Sequence, residues 1–411
     1  MSGYLLRQLV TAALTANAVR PVPGYRAAVP SMAAGWLTGE LAPHLLALTA
    51  ADTAYAAARG RSRAGRVLAL ASSAALAAIV VQSARSQRHV DVALVEALSE
   101  DYLDRLSAGY TDLDLSTPLR QLAMPFSVHD EEIEILKDIA YDTEHGKRGL
   151  LDVYRQRDAD LTNAPVLLHV HGGAWSIGDK EHQGIPLMLH MAARGWVCVT
   201  INYRLSPRDP FPAHIVDVKR AIAWIREHAH EYGADPAFLA VTGGSAGGHL
   251  AALAALTPND PAYQPGFEAA DTTLQAAAPH YGVYDFAGAT GGASALAMRD
   301  RFLAPKVLFK DPSTDLAEFE RASPMLRVNA DAPPFFVVHG RTDSLVDVDQ
   351  ARQFVAALRA VSREPVAYAE LPGAQHAFDV FPSIRSAAVV RGVDRFLRFT
   401  YDGWVHDRTQ P

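Results

Sequence analysis

Thr242-Gly243-Gly244-Ser245-Ala246-Gly247-Gly248 follows an apolar run, Phe238-Leu239-Ala240-Val241, and precedes a helical pattern over 249–256. A strand that reverses into a helix within one or two residues has no room for side chains beside the turn, so small residues must flank the one that is presented. Gly243 and Gly247 take those places around Ser245, in the spacing G-x-S-x-G. A bare small-residue turn gives the same letters, and the surrounding chain has to decide between the two readings.

Working outward, short apolar runs recur at 165–170, 196–201, 275–279, 335–338 and 366–371, and helical patterns at 215–230, 350–360 and 386–399 separate most of them. Upstream, 133–140 and 150–154 mix apolar and polar positions on either side of Glu144-His145-Gly146-Lys147, which predicts an antiparallel hairpin. Strands alternating with helices predict an α/β protein with a mostly parallel, eight-stranded sheet covered on both faces. Chemistry in such a sheet collects at the carboxyl edge of the strands.

Four motifs fall on that edge. His169-Val170-His171-Gly172-Gly173-Ala174-Trp175 directly follows a strand, and its glycines leave backbone N–H groups uncovered. Gly172 and Gly173, with the N–H of Ala246, are the candidate donors of an oxyanion hole. Trp175 and Gly244 are read as lining the substrate cleft. The glycine-flanked serine is the second motif, and Ser245 is the candidate nucleophile. The third, His339-Gly340-Arg341-Thr342-Asp343, places an acid where it can hold an imidazole, while Asp347 and Asp349 read as a helix cap or solvated charge. The fourth, Pro372-Gly373-Ala374-Gln375-His376, supplies the candidate base, His376. His169, His171, His249, His280 and His339 also lie near strand ends and are read as structural. The order Ser, Asp, His, each in its own post-strand loop, singles out His376.

These motifs together resemble the α/β-hydrolase superfamily and, more narrowly, the bacterial hormone-sensitive-lipase-like esterases, from about Ile133 to the C-terminus. His171-Gly172-Gly173-Ala174-Trp175 is similar to the His-Gly-Gly-Gly motif, with Ala174 for the third glycine. Asn202-Tyr203-Arg204-Leu205-Ser206-Pro207 resembles the Asp-Tyr-Arg-Leu-Ala-Pro segment. The resemblance implies a serine hydrolase of short- to medium-chain acyl esters or lipids, working through an acyl-enzyme without metal or organic cofactor. It also implies a helical cap, to which the 103–126 region and the excursion over 288–311 are the candidate contributors. Phe286, Leu296, Met298, Phe302, Leu303 and Val307 give that excursion an apolar face, with core packing as the competing reading. Amidase, peptidase or acyltransferase chemistry would use the same residues, and a non-catalytic ligand-binding protein would tend to lack the histidine.

The chain has 411 residues and a formal net charge of -7, which gives no reason to expect nucleic acid as a partner. Residues 1–90 nevertheless carry nine arginines against Glu40 and Asp52, a net of +7 that leaves -14 on the rest. The expected organisation is an apolar, Arg-rich helical extension over 1–90, a connector or cap contribution over 91–130, and a catalytic domain over 131–411. Within the extension, 32–58 and 67–81 are apolar stretches around an Arg-rich loop, as in a helical hairpin at a negatively charged membrane surface. The second run is short of the ~20 residues that cross a bilayer squarely. A helical unit packed on the catalytic domain or on a second copy, making a homo-oligomer, is the competing reading. Membrane-associated and cytoplasmic locations both follow from these alternatives, and secretion fits less well because the first apolar run is interrupted. The single cysteine, Cys198, sits in an apolar run and reads as a buried hydrophobe.

Overall fold

A computed structural model describes residues 3–60, 62–106 and 119–409. Four helices come first: α1 (Gly3–Val19), α2 (Ala28–Glu40), α3 (Ala42–Ala58) and α4 (Arg63–Ala84). They are followed by α5 (Ser86–Leu98) and the short α6 (Leu119–Ala123). The sheet then begins with β1 (Ile133–Ala140), β2 (Leu150–Gln156) and β3 (Ala164–Val170), and continues through α7 (Ile185–Ala193), β4 (Val197–Ile201), α8 (Ala213–His228), β5 (Ala234–Gly244) and α9 (Ala246–Leu256). Next come β6 (Ala276–His280), α10 (Ala293–Met298), α11 (Leu316–Arg321), β7 (Phe335–Gly340), α12 (Val348–Val361), β8 (Val366–Leu371) and α13 (Ile384–Thr409).

The eight strands form one sheet in the order β1-β2-β4-β3-β5-β6-β7-β8. Strands β3 to β8 are parallel, and the expected hairpin, β1 with β2, is antiparallel, as is β2 with β4. Every residue of β3, β4, β6 and β7 is buried, as expected for parallel strands covered on both faces. Alternate side chains serve two cores. Val166, Leu168, Leu239, Val241 and Val337 share one cluster with α8, α9 and α12. Leu167, Cys198, Phe238, Ala240 and Phe336 share the other with α5, α7 and α13. Burial also pushes the Cys198 thiol well above its usual value.

The region 91–130, expected as a connector, divides differently. Val90, Ala93, Leu94, Leu98 and Tyr102 are buried in the second core, so α5 is part of the layer that covers β8. Much of the cap contribution expected from 103–126 lies outside the described residues, at 107–118. The apolar face of the later excursion is also core. Phe286, Leu303 and Val307 are fully buried with Trp175 and Leu250, and Met298 and Phe302 pack against them.

What reads as one apolar stretch over 32–58 is cut at Leu41, because Pro43 stands in the first turn of α3, where its missing N–H costs nothing. The helices α3 and α4 form a hairpin, and α1 packs on α4. This unit meets the segment after β8 through both α4 and α2. Glu40 accepts from Ser383 Oγ at 2.7 Å and pairs with Arg385, with both charged side chains buried. Trp36 packs on Phe381 with ring centroids 5.5 Å apart.

Candidate active site

The turn from β5 to α9 delivers Ser245 at φ 58°, ψ -119°, a strained conformation outside the usual regions for a residue with a side chain. Helix α9 starts so close to β3 that a methyl group at Gly247 would lie 1.9 Å from the Val170 carbonyl oxygen. Close approach of backbone to backbone therefore requires glycine there. Ser245 is left partly exposed while its neighbours from Val241 to Leu250 are buried.

Asp343 and His376 are brought together from the loops after β7 and β8. The His376 Nδ1 donates to Asp343 Oδ2 at 2.6 Å, and the carboxylate is fully buried. Its other oxygen accepts from the Leu345 and Val346 N–H groups at 2.8 and 2.9 Å. Burial alone would raise this carboxyl, but the imidazoles of His376 and His339 outweigh it and hold Asp343 well below the usual range. Gln375 locks the two loops together, since its Oε1 accepts from both the Ser344 and the His376 N–H at 2.8 Å. Asp347 caps α12 by accepting from Asp349 N.

Two residues that carry no motif link this pair to the serine turn. Tyr281 lies against His376, with ring centroids 4.7 Å apart, and its hydroxyl fills the space beside Gly244. That hydroxyl donates to Asp379, which also takes His280 Nδ1 at 2.6 Å. Burial would raise Asp379, yet His280 and Tyr281 keep it lowered. Behind this cluster His169, His280 and Thr242 line a cavity of about 20 Å³, the size of one water. Nothing in the sequence marked Tyr281 or Asp379, because their role is visible only once β6 and the His376 loop are adjacent, and Gln375 stood out only as the neighbour of His376.

The glycine loop departs from expectation at Gly172. Its N–H already donates to Gln183 Oε1 at 2.7 Å, so it is not an open donor. Gly173, at φ +124° and with the Ile177 carbonyl where a Cβ would stand, turns the chain sharply. Among the described residues none accepts from the N–H groups of Gly173, Ala174 or Ala246. Trp175 is also misplaced by the sequence reading: it is 2% exposed, donates from Nε1 to His249 Nδ1 at 3.2 Å and packs edge-on to Phe286. It is core, not cleft wall. Gly244 is occupied by its contact with Tyr281.

The other histidines have structural settings. His249 and His339 donate to the carbonyls of Ala322 and Val346, and His171 stacks on Tyr203 and donates to Gly172 O. Burial lowers His169 and His249 to about 3 and His171 to about 4, so all three are neutral at physiological pH. One trio, Asp142, Glu144 and His145, has the spacing of a metal site, but the Arg220 guanidinium already occupies the Asp142 carboxylate.

A parallel sheet with a strained serine turn at its centre, and a carboxylate–imidazole pair on two later strand ends, defines the α/β-hydrolase superfamily. The family within it follows from likeness to known proteins. The family model BD-FAE matches residues 151–358. The probable carboxylic ester hydrolase LipM of Mycobacterium tuberculosis (strain ATCC 25618 / H37Rv) is 44% identical over 97% of this chain and 93% of its own length, so the N-terminal helical unit lies inside the match. Esterase LipQ of the same organism is 46% identical over 77% of this chain and 75% of its own. The crystal structure of esterase B from Lactobacillus rhamnosis (HN001) superposes with a TM-score of 0.57 over 76% of this chain and 99% of that one, at 19% identity, and supports the fold. The chain belongs to the hormone-sensitive-lipase-like carboxylesterases of the α/β-hydrolase superfamily, and is a carboxylic ester hydrolase.

Proposed function

We propose that Ser245, His376 and Asp343 form the triad that cleaves acyl esters. His376 Nε2 takes the proton as Ser245 Oγ bonds to the ester carbonyl carbon. The developing oxyanion is held by the N–H groups of Gly173, Ala174 and Ala246. His376 then gives its proton to the leaving alkoxide, releasing the alcohol and leaving an acyl-serine. Water repeats the sequence: its proton goes to His376, its oxygen bonds to the acyl carbon, and Ser245 departs with the proton while the acid is released. The observation that carries this reading is the 2.6 Å contact between His376 Nδ1 and buried Asp343, which fixes the tautomer with a basic Nε2. Ala174 replaces Gly172 as a donor because of the bond from Gly172 to Gln183.

Short- to medium-chain acyl esters or lipids are the substrates of this reading. Contact of residues 1–90 with a membrane is part of it, supported by the run Arg63–Leu98, long and apolar enough to cross a bilayer with only 28% of its most apolar window buried by protein. Ser245→Ala is the test. The variant is expected to lose p-nitrophenyl butyrate turnover by at least ~1,000-fold and to resist fluorophosphonate labelling. Wild-type turnover by that variant overturns the triad.

A further inference from the structure

The helical unit is built inside out. Its buried positions are mostly small or hydroxyl-bearing, with Gln8, Thr15, Thr49, Ser72 and Ser83 beside several alanines and only Tyr4, Leu76 and Ile79 as large apolar side chains, while Leu6, Val10, Leu48, Val67, Leu70 and Val81 are between 51% and 69% exposed. A bundle stabilised in water places these residues the other way round. The apolar cluster inside the unit is Ala18, Ala42, Leu76 and Ile79, with Leu45, Leu46 and Val80 half-buried against it, a small core for four helices. In lipid there is nothing to gain by burying leucine, and small or hydroxyl-bearing residues make the close helix contacts. Tyr4 lies directly over Gly65, and Gln8 Nε2 reaches across to Asp52 at 2.9 Å.

Length and charge point the same way. Helix α4 carries no charged residue over 67–84, about 27 Å of helix against a hydrocarbon thickness of ~30 Å. Arg63 and Arg66 precede that stretch, and Arg85 and Arg88 follow it. Both acids of the unit are paired, Asp52 with Arg7 at the surface and Glu40 with Arg385 in the interior. The exposed charges that flank the stretch, Arg63, Arg85 and Arg88, are basic, the complement of anionic headgroups. Tyr4, Thr53 and Gly65 meet at the far end of the bundle, whereas Glu40 and Gln82 sit at the near end, against Arg385 and Gly373.

We propose that α1, α3 and α4 form a stem embedded in a bilayer containing anionic phospholipid, and that α2, at its base, sets the active site at the membrane surface. There, Ala28 O accepts from Ser344 Oγ at 3.2 Å, and a methyl group at Gly35 would lie 3.4 Å from the Gln375 amide. Ser344 and Gln375 are the immediate neighbours of Asp343 and His376. Resting on the esterase reading, this makes the substrate an acyl ester of an amphiphile drawn from the lipid phase.

Full-length protein is mixed with vesicles of equal parts phosphatidylcholine and phosphatidylglycerol and floated in about 1 M salt, where screening over ~3 Å removes headgroup attraction alone. Wild type and Ser245→Ala are expected to float with the vesicles. Leu48→Lys/Leu70→Lys/Val81→Lys, altered at exposed positions, is expected to leave the vesicle fraction by roughly tenfold or more. It should keep p-nitrophenyl butyrate turnover within about twofold of wild type, while hydrolysis of a vesicle-borne diacylglycerol falls roughly tenfold. Wild type that stays at the bottom of the gradient overturns the proposal, as does a detergent-free dimer in which a second copy covers the apolar face. Flotation without turnover of any ester would overturn the esterase reading and leave the stem standing.

Discussion

Two carboxylate–imidazole pairs lie beside the serine turn, each with a 2.6 Å contact: Asp343 with His376 and Asp379 with His280. Replacing one carboxylate at a time separates them. In Asp343→Asn the amide oxygen must stay toward the Leu345 and Val346 N–H groups, because an NH₂ there would leave several buried donors unpaired. The NH₂ then faces His376 Nδ1, which has to accept, and the ring proton moves to Nε2. A ring in that tautomer cannot take a proton from Ser245. The corresponding loss in serine hydrolases is ~10,000-fold in kcat, or ~5.5 kcal/mol of barrier. Asp379→Asn loosens the Tyr281 wedge behind His376 and the His280 contact, and is expected to cost less than about a hundredfold. Steady-state hydrolysis of p-nitrophenyl butyrate, with thermal unfolding to show that each variant folds, gives both numbers. A larger loss in Asp379→Asn than in Asp343→Asn would refute the assignment of the acid and with it that of His376.

Gly247→Ala should destabilise by ~1–3 kcal/mol or more, since its methyl would meet two backbone carbonyls and neither can swing away. An unchanged denaturation midpoint would contradict the close approach of α9 to β3. Glu40→Ala leaves Arg385 charged and buried, at a cost of ~3–5 kcal/mol, whereas Glu40→Met with Arg385→Met should recover most of it. Thermal unfolding and the rate of proteolysis over 20–60 measure both. The Arg352 guanidinium, with help from Arg341 and Tyr368 and against burial, holds Glu370 down to about 2 from 4.5. Its folded value is the lower one, so it stabilises the protein above about pH 4.5, and that contribution is lost as pH falls toward 2. Glu370→Gln should flatten the acid limb of Tm against pH, and an unchanged limb would show that the pairing adds nothing.

The sheet was legible because fully buried parallel strands leave uninterrupted apolar runs, and the serine turn because its geometry admits few residue types. The loops carrying Asp343 and His376 were legible by chain order. What escaped were the contacts made with residues that no motif marks. Gly172 satisfies a glycine pattern, yet its N–H is spent on Gln183, eleven residues away with no motif. Trp175 looked like a cleft residue because it follows that loop, but a positive φ of 55° turns it inward to His249. Val90, Leu94 and Leu98 have the period of a surface helix, and only the bare face of β8 explains why they are buried. The first ninety residues read as a separate object by charge, and nothing local to α2 announces that Glu40 is the partner of Arg385.

That last pairing joins residues 345 positions apart and sets an order on the making of the protein. The helix that carries Glu40 precedes the sheet in the chain, but the guanidinium that neutralises Glu40 is supplied by α13, which follows the last strand. Until it docks, Glu40 has no charge to balance it, and contacts this distant in sequence are the slow ones to form. A chain without Arg385 would contain Ser245, Asp343 and His376 and still leave the buried carboxylate of Glu40 without its charged partner. Seating of the N-terminal helices on the rest of the protein is thereby tied to a contact that spans the whole sheet in sequence.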